Sequence, residues 1–109
     1  MERRRSQRVR AQQGEGTWLC NRFVDGYPYA ARVVDASADA IRVQGIREPE
    51  RATPPDRYAL EVMLPGNTEP TWFWTRVIKR DARGDVLSFL GLDPLERTRI
   101  ARAFAAMSA

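Results

Sequence analysis

The chain has 109 residues, 43% apolar and 29% charged, a balance that suits one globular domain and argues against a disordered segment. It has no histidine and one cysteine, which excludes an internal disulfide and a Cys/His zinc centre and removes the usual neutral-pH base. The formal charge is +4, but beyond residue 10 the chain keeps 13 basic and 13 acidic residues, so the excess sits entirely at the start.

Met1 to Arg10 carries five arginines (Arg3, Arg4, Arg5, Arg8 and Arg10) against one acid, Glu2. No helix or strand period runs through residues 1–16, and Gln12-Gln13-Gly14-Glu15-Gly16 reads as a hinge. Residues 1–16 are therefore expected to form a flexible arginine-rich arm, and 17–109 a single domain. No apolar stretch approaches the ~20 residues of a membrane span, so no membrane insertion is expected. The basic start lacks the apolar core of a secretory signal, which points to a cytoplasmic protein.

The spacing predicts six strands. Trp18 to Phe23 and Tyr29 to Asp35 flank Asp25-Gly26, a favoured two-residue hairpin turn. In the second of these, Tyr29, Ala31 and Val33 share one face. Asp35 to Asp39 is rich in turn formers, and Ala40 to Ile46 resumes as a third strand with Ile41 and Val43 inward. Residues 47–56 form a charged, proline-rich connection. Arg57 to Leu64 alternates cleanly, with Tyr58, Leu60, Val62 and Leu64 on one face. Pro65-Gly66 is a turn dipeptide. Thr71 to Lys79 places Trp72 and Trp74 on one face and Phe73 and Val77 on the other. A turn around Gly84 leads to Val86 to Leu92.

A helix follows over 94–107. Asp93 is its cap, Pro94 fits its first position, and Glu96 completes an aspartate version of the capping box. Ile100, Phe104 and Met107 form the stripe that docks it. Six short strands and one terminal helix predict a mainly β fold, a small antiparallel barrel with a C-terminal helix.

Catalytic machinery is sparse. The chain has no phosphate-binding Gly-rich loop and no Gly-x-Ser-x-Gly elbow. Asp35 and Asp39 on one turn are a weak acid–base pair, so no enzyme activity, no metal and no cofactor are expected. Cys20 reads as a small strand residue. Anion binding has better support. Arginine grips phosphate and guanine edges bidentately, and the arm offers Arg4 and Arg8 four residues apart. The turn Asp35-Ala36-Ser37-Ala38-Asp39-Ala40 offers a carboxylate, a hydroxyl and backbone N–H groups.

Two motifs in this order carry a resemblance. Arg3-Arg4-Arg5-Ser6-Gln7-Arg8 resembles the Arg-x-x-x-Arg arm of the PilZ domain family. Asp35-Ala36-Ser37-Ala38-Asp39-Ala40 resembles its Asp/Asn-x-Ser-x-x-Gly motif, with Ala40 standing where the family has glycine. A second family glycine falls on Ser88. The resemblance covers essentially the whole chain. It implies a six-stranded PilZ-type barrel that binds the bacterial second messenger cyclic di-GMP and relays occupancy to a protein effector. In that pattern Arg4 and Arg8 grip guanine and phosphate, Arg3 assists, and Asp35, Ser37 and Ala40 line the ligand from the rim. The alternative is a degenerate member of this fold that does not bind the nucleotide and acts through protein contacts, with Trp72, Trp74 and the helix as its docking surface. The charge-balanced body makes nucleic acid an unexpected partner.

Overall fold

The Asp25-Gly26 hairpin sets the architecture. Both residues take positive φ, 52° and 78°, and this primed turn matches the right-handed twist of the flanking strands. It joins β2 (Leu19–Val24) to β3 (Tyr27–Ala36) in an antiparallel pair. The computed structural model describes residues 9–10, 18–64 and 67–107. The expected turn at Pro65-Gly66, the hinge at 12–16 and Arg3, Arg4 and Arg8 lie outside these, as does the side chain of Met107.

The remaining elements are β4 (Ala40–Gly45), β5 (Arg57–Val62), β6 (Thr71–Asp81), β7 (Gly84–Phe89) and α1 (Pro94–Met107). The strand order β3-β2-β5-β6-β7-β4 returns to β3 through the β3–β4 pairing, so these six strands close an antiparallel barrel. The six strands expected from alternation are all present, with ends displaced by at most three residues. The last strand stops at Phe89 instead of Leu92, and Leu92 packs on the core from the following loop.

One element was not expected. Val9–Arg10, within the stretch that shows no strand period, forms a two-residue strand, β1. It pairs with the end of β3, Val9 opposite Ala36 and Arg10 opposite Asp35. On its other edge this part of β3 holds Ile41 and Arg42 of β4. β1 therefore continues along the edge that β2 leaves after Leu19 meets Arg32. A two-residue pair is too short to show as alternation, and the arginines around it mask any apolar signal.

Barrel interiors alternate in and out along every strand. Ala31, Val33, Ile41, Val43, Leu60, Val62, Phe73 and Leu87 point inward and are buried. Two bulges interrupt the alternation, at Val33/Asp35 against β4 and at Val77/Lys79 against β7. Gly84 has a φ of 116°, and a Cβ there would run into the Val43 carbonyl, so the β6–β7 turn admits only glycine.

The helix starts as its sequence dictates. The Asp93 carboxylate accepts the Glu96 N–H at 2.8 Å, and Glu96 returns the bond to the Asp93 N–H at 3.2 Å. Phe104 and Ile100 then enter the core beside Trp18, with the Trp18 and Phe104 rings edge-on at 5.2 Å. The rest of the ring stack runs Phe104 to Phe89 at 6.1 Å and Phe89 to Phe73 at 4.8 Å.

Candidate functional site

The rim that holds β1, the β3–β4 turn and α1 collects Asp35, Ser37 and Ala40, while the site arginines Arg3, Arg4 and Arg8 lie outside the described residues. Asp35 reaches it because of the β3 bulge. Ala31 and Val33 face the core, so unbroken alternation would turn Asp35 inward and Ala36 outward. With Val34 as the extra residue, Ala36 becomes fully buried and Asp35 is carried to a half-buried position opposite Arg42. A bulge that re-aims one side chain beside a site is a recurrent device.

Ser37 is 3% exposed and closes the turn. Its N–H donates to the Ala40 carbonyl at 2.8 Å. Its hydroxyl oxygen accepts the N–H groups of Asp39 at 3.1 Å and of Ala40 at 3.3 Å. The hydroxyl thus builds the turn whose backbone a ligand would meet. Ala40 begins β4 and is 7% exposed. Asp25 is the sole non-glycine with positive φ among the described residues, so Ala40 sits in ordinary backbone and its methyl adds no conformational strain. Its cross-strand partner is Ser88. The two positions where family glycines fall are therefore neighbours, and both keep small side chains.

Sequence reasoning missed one partner. The Arg97 guanidinium, from the first turn of α1, forms an ion pair with the Asp39 carboxylate. The pair spans 58 residues of sequence, and neither residue type signals it locally. Asp39 also accepts the Phe89 N–H through its carbonyl at 3.1 Å. The structure thus brings Asp35, Ser37, Asp39, Ala40 and Arg97 to one rim, with the backbone of Val9–Arg10 paired alongside.

The opposite rim is polar and built from ion pairs. Arg22 is buried, donating to Asp85 at 2.7 Å and to Glu48, with its guanidinium over the Tyr58 ring at 4.5 Å. Burial pulls its pKa down, but Tyr58, Asp85 and Glu48 outweigh that, and the group is held above its ordinary value. Burial pushes the Cys20 thiol up to about 12, with Arg22 opposing weakly, so Cys20 is no nucleophile. Among the described residues no three His, Cys, Asp or Glu side chains group to hold a metal. No described helix is long and apolar enough to cross a membrane.

A third feature lies on the outer face of β6. Trp72 and Trp74 are 54% and 69% exposed, and the Phe23 ring packs on Trp72 at 4.9 Å. They line a shallow groove with Ala59, and Arg57 and Asp25 stand at its edge.

No family model matches the chain, and no curated protein does. Among solved structures the chain is similar to the PilZ domain with c-di-GMP of YcgR from Escherichia coli. The TM-score is 0.72 at 19% sequence identity, over 97% of this chain and 92% of that one. The chain has a PilZ-like fold: a six-stranded antiparallel barrel with one C-terminal helix.

Proposed function

We propose that this chain is a non-enzymatic receptor that binds cyclic di-GMP at the β3–β4 rim and passes occupancy to a protein effector in the cytoplasm. One observation carries the reading. β1 pairs with Asp35 and Ala36, so the chain that directly follows Arg8 is fixed against the second motif. Val9 and Asp35 stand 26 residues apart in sequence, and the pairing of this strand with the motif supports a site shared by the two segments. The similarity to a PilZ domain solved with c-di-GMP supports the choice of ligand.

In this reading Arg4 and Arg8 hold phosphate and the guanine edge, and Arg3 adds a further cation. Asp35 accepts from the Watson–Crick edge of guanine. Ser37 serves by holding the turn, and Ala40 by leaving room. No metal or cofactor takes part, and nucleic acid is not a partner. Calorimetric titration with cyclic di-GMP tests this. Binding in the micromolar range is expected, and Arg4→Ala with Arg8→Ala should abolish it with an unchanged melting temperature. A wild-type chain that gives no heat at tens of micromolar ligand would sink the proposal.

The exposed Trp72 and Trp74 favour a second reading, a protein-interaction module that works without the nucleotide. Trp74→Ala separates the two, since it should remove partner capture and leave nucleotide binding intact. Capture that persists in cells lacking cyclic di-GMP supports the second reading.

A further inference from the structure

Asp39 is where the motif turn, the last strand and the helix converge. Its carbonyl receives the Phe89 N–H, and its carboxylate receives Arg97. Both side chains stay reachable from solvent, at 30% exposure for Arg97 and 32% for Asp39. Asp39 lies two residues after Ser37 and directly before Ala40, so its charge stands inside the segment that would meet a phosphate diester. A bare carboxylate there repels such an anion. Arg97 neutralises it.

We infer that Arg97 is a further ligand-binding residue, held on Asp39 in the free protein and transferred to a ligand phosphate on binding. The inference rests on the proposed cyclic di-GMP reading. An exposed arginine–carboxylate pair contributes little to stability, so the exchange has a small barrier to overcome. The guanidinium carries five N–H donors in a planar fork and can span two phosphate oxygens. Only hydrogen bonds and an ion pair change hands. Arg97 sits on the first turn of α1, so the exchange removes a tie between the motif and the helix. The Phe89–Asp39 bond and the buried Phe104 remain. Occupancy is therefore registered at the helix start and leaves the barrel unchanged.

The two partners of this pair make opposite predictions in one titration. Arg97→Gln leaves Asp39 facing the anion and should weaken cyclic di-GMP binding about tenfold or more. Asp39→Asn removes the repulsion and frees Arg97, and should tighten binding about three- to tenfold. Arg97→Lys keeps the charge without the fork and should fall between wild type and Arg97→Gln. The double variant should bind about tenfold more weakly than Asp39→Asn alone. In the wild type, the Arg97 side-chain N–H resonance should move on titration. A merely structural pair gives single variants that lower the melting temperature equally and shift affinity in the same direction, or not at all. That result overturns the inference. Wild-type binding with an unchanged Arg97→Gln variant overturns it alone. A wild-type chain that does not bind overturns the proposed function and this inference together.

Discussion

At the rim where the chain enters and leaves the barrel, Phe104 and Ile100 fill the opening and pack on Trp18 and Phe89. At the opposite rim, beyond the Asp25-Gly26 and Gly84 turns, Arg22 fills it with Glu48, Asp85 and Tyr58. One plug is held by dispersion and apolar burial, which are non-directional and tolerate small slides. The other is held by charge-assisted hydrogen bonds, which fix distance and angle. The candidate site lies at the apolar end. A helix seated by Phe104 can shift at its polar first turn without opening an unsatisfied buried group, whereas movement at the ionic end strands a charge. Tolerance to small shifts and rigidity are thus placed at different ends of one barrel.

The comparison can be broken by variants at each end. Phe104→Ala should have the largest effect, a loss of about 4 kcal/mol in urea unfolding, together with a red shift of Trp18 emission. A loss under about 1 kcal/mol would mean the helix is not what closes that end. Arg22→Ala should follow at about 3 kcal/mol, because it leaves Glu48 and Asp85 with only the longer contacts to Arg51 and Arg80, each 3.8 Å. Adding Glu48→Gln and Asp85→Asn should recover most of it. If the triple variant is less stable than the single one, the ionic plug contributes net stability beyond charge balance.

Asp93→Ala removes the helix cap and should lower stability by about 1 kcal/mol, visible as earlier helix fraying in amide exchange. The smallest effect belongs to Asp81, at the ionic end. The Arg83 N–H, then Arg42 and Lys79, hold its carboxyl below the usual 3.8. A carboxyl depressed in the folded state stabilises the fold above its unfolded pKa, and that support is lost as pH falls through the folded value. The melting temperature of Asp81→Asn should trail the wild type slightly at pH 7 and meet it in acid below the usual 3.8. A gap that persists unchanged into acid would assign the effect to geometry instead of charge.

The strands and the helix were legible because alternation and capping are local. Tyr58, Leu60 and Val62 announce an inward face, and Asp93 with Glu96 announces a helix start. What escaped depends on tertiary geometry. In β2 the large apolar residues Leu19 and Phe23 alternate with Cys20 and Arg22, which suggests the wrong inward face. The barrel takes Cys20, Arg22 and Val24 inside and leaves Leu19 52% exposed, because Arg22 finds Glu48 and Asp85 across the rim. The bulge at Val34 carries no composition signal either, yet it decides where Asp35 goes. At the candidate site Asp35, Ser37 and Ala40 could be named from their motif, while Arg97 required the fold.

The β1 pairing also has a consequence in the language of tethers. Five residues of sequence separate Arg4 from Val9, a contour of no more than about 18 Å. In the proposed reading, an anion first held by Asp35 to Ala40 would meet the arm's arginines at an effective concentration on the order of millimolar, whatever the protein's own dilution. Capture in that reading would be two-step, with the second step independent of how much protein the cell contains.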